Sequence, residues 1–80
     1  MNETNLLDRI TVNPEVMVGK PTIRGLRITA EQILTALAHG VTADEILEDY
    51  PDLEALDIQA VLLYAAKLVE SERVYRIAIG

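Results

Sequence analysis

Thr29-Ala30-Glu31-Gln32-Ile33-Leu34-Thr35-Ala36-Leu37-Ala38-His39-Gly40 and, directly after Val41, Thr42-Ala43-Asp44-Glu45-Ile46-Leu47-Glu48-Asp49-Tyr50-Pro51 decide the fold. Each stretch opens with Thr and has Gln or Glu three residues on. In that pattern the cap hydroxyl and the third side chain each take an amide that a helix start leaves orphaned. Ala30, Ile33, Leu34, Leu37, Ala38 and Val41 then recur at helical spacing and form one apolar stripe. His39-Gly40 ends that helix, since glycine suits the left-handed position after a last turn. In the second helix Ala43, Ile46, Leu47 and Tyr50 share a face, and Asp44, Glu45, Glu48 and Asp49 cover the others. Pro51 stops it, because the residue before proline is pushed out of helical geometry. So short a helix needs something to pack on.

Downstream, a third helix is predicted from Ala55 or Leu56 to about Ser71, with Ile58, Val61, Leu62, Ala65, Leu68 and Val69 as its main stripe. Ala60 through Ala66 is apolar without a break, so a second face is apolar too. A helix apolar on more than one side is buried on more than one side. A second copy of the chain supplies the extra cover in this reading, with Leu63, Tyr64 and Ala66 at the dimer seam.

Upstream, Ile10-Thr11-Val12 is a brief β-prone run closed by Asn13-Pro14. From Val16 to Ile28 the chain is punctuated by Gly19, Pro21 and Gly25 too often for a helix, and Ile23 and Ile28 read as anchors onto the core. The last residues, Arg73 to Gly80, alternate in a way that fits a strand. The expected architecture is mainly α: a three-helix helix-turn-helix bundle with a loop-rich N-terminal arm and short terminal β-strands. It forms a single domain over 1–80, with the arm at 9–28, the bundle at 29–71 and a strand-like tail at 72–80.

Composition narrows the function. The chain has 80 residues, half of them apolar and a quarter charged, which is globular rather than disordered. It has no cysteine and a single His, which argues against a disulfide staple or a zinc cage. Its apolar runs fall far short of the ~20 residues of a membrane span. The start, Met1-Asn2-Glu3-Thr4-Asn5, lacks a signal-peptide pattern. A cytoplasmic protein away from membranes is expected.

The net charge of −6 weighs against bulk electrostatic binding of nucleic acid. Asp44, Glu45, Glu48, Asp49, Asp52, Glu54 and Asp57 follow one another without a Lys or Arg between them, while Arg9, Lys20, Arg24 and Arg27 lie before and Lys67, Arg73 and Arg76 after. This polarity reads either as a solvated face or as a means of orienting a partner or pairing two copies of the chain. In a helix-turn-helix reading the third helix enters the major groove with Glu54, Asp57 and Gln59 outward near its start. Of these only Gln59 suits a base edge. Lys20, Arg24 and Arg27 complete the candidate DNA-binding set as a basic arm; the alternative is that they pair with the acidic run and hold the loop down. Gly19-Lys20-Pro21 is no phosphate loop, because Pro14 and Pro21 stand where Gly and Ser or Thr are required. Glu45 and Asp49 share a helical face but lack calcium-loop spacing, and His39 is placed to meet helix-terminal carbonyls. No enzyme, metal or cofactor is expected.

Gly19-Lys20-Pro21-x-Ile23-x-Gly25-x-Arg27-Ile28, Tyr50-Pro51-x-Leu53 and Ala60-x-x-x-Tyr64-Ala65 together resemble domain-of-unknown-function family 433, small prokaryotic proteins, from roughly Arg9 to Ala66. Leu26 departs from that pattern, where Thr is usual, and so does Glu54, where Ser or Thr commonly caps the third helix. The resemblance implies a homeodomain-like fold and a VapB-like antitoxin of a type II toxin-antitoxin module. Its partner is then a PIN-like ribonuclease toxin, and it binds as a homodimer with duplex operator DNA as a further ligand. On that reading Arg73 and Arg76 insert guanidinium groups into the carboxylate cluster of the nuclease while Ile77 and Ile79 dock apolarly. Alternatively, the tail swaps between subunits. The rival function is a dimeric protein-interaction or structural domain without DNA binding.

Overall fold

A computed structural model describes residues 3–71. The elements run α1 (Glu3–Leu7), β1 (Ile10–Thr11), β2 (Thr22–Ile23), α2 (Ala30–Ala38), α3 (Ala43–Asp49) and α4 (Ala55–Ser71). The described residues are mainly helical, with one small antiparallel sheet. The helices expected from the two Thr-led stretches and from the region after Leu53 are α2, α3 and α4. Among the described residues four α-helices stand where three were expected, because Glu3–Leu7 forms a further turn and a half that packs on α4.

The starts of α2 and α3 are built as their sequences require. Thr29 Oγ1 accepts from the Gln32 amide at 3.0 Å, and Gln32 Oε1 accepts from the Thr29 amide at 2.8 Å. At α3 the reciprocal distances between Thr42 and Glu45 are 3.1 and 3.2 Å. Gly40, at φ 88°, turns the chain out of α2, and Val41 N–H closes back onto the Ala36 carbonyl at 3.0 Å. α3 ends at Asp49, with Tyr50 as its C-cap before the proline.

Ile23, Ala30, Ile33, Ile46, Leu53, Ile58 and Val61 form the buried core, with Ile10, Leu26, Ile28, Leu34, Leu37, Val41, Leu47 and Tyr64 packed around it. Ile23 and Ile28 thus anchor the arm as expected. The core meets α4 chiefly along its first half. Farther along, Leu62, Leu68 and Val69 are 49%, 47% and 63% exposed, so these members of the expected inner stripe face outward. Periodicity named a face but could not say that the helix outruns what packs against it.

β1 pairs with β2, Ile10 opposite Ile23 and Thr11 opposite Thr22. The strand expected over Ile10–Val12 finds its neighbour here, within the arm, and Val12 lies beyond it. Arg24 and Gly25, at φ 46° and 74°, are the two central residues of a tight turn closed by Leu26 N–H on the Ile23 carbonyl at 2.7 Å. Both must be left-handed in this turn, which glycine provides freely and arginine does not. Ala30 N–H donates to the Pro21 carbonyl at 2.9 Å, fixing the arm to the start of α2. The expected strand-like tail, 72–80, lies outside the described residues.

Candidate functional site

Asp57 sits at the third position of α4, and its side chain is 0% exposed. It was expected to face outward; it is instead the centre of an ion-pair cluster that closes the arm onto α4. Arg24 donates through Nε to Oδ1 at 3.1 Å and through Nη2 to Oδ2 at 2.9 Å. Arg9 Nη1 donates to Oδ1 at 2.9 Å and to the Glu54 carboxylate at 2.7 Å. The Glu54 amide donates to Oδ2 at 2.8 Å, so Asp57 caps α4 from within. Glu54 contributes its amide to that cap and turns its carboxylate to Arg9. Arg24 Nη2 also reaches the Asp52 carbonyl at 2.6 Å.

A buried carboxylate costs several kcal/mol unless its charge and lone pairs are answered. Here they are. Burial alone pushes the Asp57 carboxyl up, but the Arg24, Glu54 amide and Arg9 hydrogen bonds outweigh it and hold the group below the usual carboxylate range. Glu54 and then Asp57 raise Arg9 above its ordinary value, and Asp57 does the same for Arg24.

On another face the chain makes an open groove of about 930 Å³ between the arm, α2 and the end of α3. Met17, Val18, Lys20, Arg27, Ala36 and Tyr50 are among the residues that line it. One wall is a single left-handed turn, with Met17, Val18 and Gly19 at φ 51°, 58° and 77°. A non-glycine residue held there stores about 1–3 kcal/mol, and β-branched valine is the least suited of all. Val18 is also 92% exposed, so packing within the fold returns almost nothing for that strain. Gly19 is legible in the sequence as a turn residue and Met17 and Val18 are not, because no local pattern marks a valine for a left-handed position.

Apart from Arg9, these features fall within one stretch of recognisable sequence. The family described as "Protein of unknown function (DUF433)" matches residues 10–65, which runs from β1 into α4 and takes in Arg24, Asp57 and the whole groove wall. The chain belongs to the DUF433 family. A curated relative, the uncharacterized protein y4eO of Sinorhizobium fredii (strain NBRC 101917 / NGR234), is 30% identical over 56 residues, covering 70% of this chain and 25% of y4eO. The match thus spans a quarter of that relative's length. No solved structure matches the chain at a significant level.

The DUF433 fold distributes the sequence-predicted DNA-binding residues instead of gathering them. Arg24 belongs to the Asp57 cluster. Lys20 and Arg27 line the groove, and Lys20 is bonded to Glu31 at 2.9 Å. Arg27 is exposed and makes no ion pair among the described residues, and Gln59 is exposed on α4. Of the predicted dimer residues, Leu63 and Tyr64 are half-buried and Ala66 is exposed. The tail residues Arg73, Arg76, Ile77 and Ile79 lie outside the described residues. Among the described residues no cluster of three or more His, Asp or Glu is placed to hold a metal, and no helix is long and apolar enough to cross a membrane.

Proposed function

We propose that this DUF433 protein is a non-enzymatic interaction module, the antitoxin of a type II toxin-antitoxin pair, which holds a PIN-like ribonuclease as a homodimer. One observation carries the emphasis on protein contacts. Arg9, Arg24 and Lys20 are each engaged by a carboxylate of the same chain, while the acidic side of α3 and the apolar side of α4 stay exposed. A surface of that kind suits a protein partner better than a phosphate backbone. The nuclease assignment itself rests on the family resemblance, with Arg73, Arg76, Ile77 and Ile79 as the toxin-binding residues.

The second reading adds DNA. In it α2, α3 and α4 form a homeodomain-like helix-turn-helix bundle, and Gln59 reads a base edge with Arg27 on phosphate. With Arg27 the one arm cation that has no ion pair among the described residues, few phosphates are neutralised and the salt dependence is shallow.

Co-expression with a PIN-like nuclease from the adjacent reading frame tests the main proposal. Co-purification and suppression of RNA cleavage are the expected results, and truncation after Glu72 is expected to abolish both. A nuclease that neither binds nor loses activity overturns it. Titration of upstream duplex DNA at low salt tests the second reading separately.

A further inference from the structure

We propose that the groove beside the Met17–Gly19 turn is a docking site for an extended peptide segment of another protein, one that places an aliphatic side chain between a carboxylate and a cation. This rests on the reading that the protein works by binding proteins, but not on the partner being a nuclease.

The charges of the groove select such a ligand. Lys20 and Glu31 answer each other across 2.9 Å and present little net charge. Arg27 and Glu15 remain, both exposed, both lining the groove and both without an ion pair among the described residues. They are of opposite sign. A purely acidic or purely basic segment would meet one of them unfavourably, whereas a segment carrying both charges satisfies each. The apolar part of the lining, Met17, Val18, Ala36 and Tyr50, calls for an aliphatic group beside the charges. Gln32 spends its Oε1 on Thr29, and its side-chain Nε2 is unengaged among the described residues, a donor suited to a peptide carbonyl.

The left-handed turn points the same way. Val18 is strained and uncovered at once, and folding gains from neither. Backbone strain of this kind is retained where it holds a contact ready for a ligand. Covering Val18 with a bound side chain gives the turn its use.

The test is an amide NMR titration of the full chain with acetyl-Ala-Asp-Leu-Lys-Ala-amide, its charge-reversed form acetyl-Ala-Lys-Leu-Asp-Ala-amide, and the neutral acetyl-Ala-Asn-Leu-Gln-Ala-amide. One charged peptide is expected to give saturable shifts at residues 15–20, 27–36 and 50. The neutral peptide should bind about fivefold more weakly, the size of two exposed ion pairs. Arg27→Ala, a substitution that breaks no ion pair among the described residues, removes one of the two pairs and should weaken the charged peptide about twofold with the circular dichroism unchanged. Equal binding of the neutral peptide, charged-peptide affinity unchanged by Arg27→Ala, or no saturable shift from either charged peptide each overturns the proposal. If the nuclease still co-purifies in that last case, the groove assignment falls and the antitoxin reading stands.

Discussion

Arg24 and Asp57, thirty-three positions apart, meet in a two-point contact: Nε lies 3.1 Å from Oδ1 and Nη2 lies 2.9 Å from Oδ2. The arginine occupies a left-handed turn, φ 46°, and the aspartate is fully buried. Each is unfavourable alone. Together they tie the arm to α4, so the fold of residues before α2 depends on a residue after α3. Asp57→Ala removes the charge that Arg24 and Arg9 were built around and the cap on the Glu54 amide. It is expected to cost about 3 kcal/mol in chemical denaturation. Arg24→Ala should cost less, since Arg9 and the Glu54 amide still answer the carboxylate.

The same pair sets the acid limb of stability. Asp57 is held below its ordinary range in the folded protein, so the unfolded state takes up a proton first as pH falls. Its contribution is fully present above the unfolded value near ~4 and is lost as pH drops through the lower folded value. Thermal unfolding between neutral pH and about pH 3 should show this decline in the wild type. In Asp57→Asn that part of the slope should vanish, and a curve parallel to the wild type would refute the assignment.

Local sequence made the helices legible and left the contacts between them dark. Thr29 with Gln32 and Thr42 with Glu45 announce two helix starts because both partners of each cap lie within four residues. Pro51 and Gly40 announce two stops for equally local reasons. Asp57 reads locally as one more solvated carboxylate in an acidic run. Only Arg9 and Arg24, distant in sequence, turn it inward, although pairing between the arm and the acidic run was one of two readings open to the sequence. The short α1 carries no periodicity to detect, and it is held by packing on α4 and by Lys67 on Glu3 at 3.2 Å. The Met17–Val18 turn was invisible because the residues in it are those a left-handed turn disfavours.

That turn yields a prediction in which stability and binding move oppositely. Val18→Gly relieves the left-handed strain and gives up little packing, since the side chain is 92% exposed. Against this stands the larger entropy that glycine gives the unfolded chain, so the net gain should be about 1 kcal/mol. Peptide affinity at the groove should fall in the same variant. A destabilised Val18→Gly would mean that the turn is held by contacts other than those seen.

The two helix caps differ in exposure and should differ in cost. Thr29 is buried and Thr42 exposed, yet their hydrogen-bond patterns match. Thr42→Ala should destabilise by about 1 kcal/mol, and Thr29→Ala by about 2, because it also empties a packed site. Urea midpoints of the two variants give the comparison directly.

The outer face of α4 decides the homodimer. Leu62, Ala66 and Val69 follow one another at four and three residues, all exposed, and form an apolar stripe that the described part of one chain leaves open. Leu63 and Tyr64, the other candidates at the seam, are half-buried, and Tyr64 packs against the core, so replacing it would confuse folding with association. Leu62→Glu combined with Val69→Glu avoids that confusion. Both side chains are exposed in the single chain, and each change should alter its stability by no more than about 0.5 kcal/mol. In a dimer joined along this stripe the four added carboxylates face one another in a dry interface, where uncompensated charge is strongly unfavourable. Sedimentation velocity should therefore show two chains for the wild type and one for the double variant, with the same thermal transition at low protein concentration. A wild type that sediments as one chain at high concentration removes the homodimer, and a double variant that still sediments as two moves the seam off this face of α4.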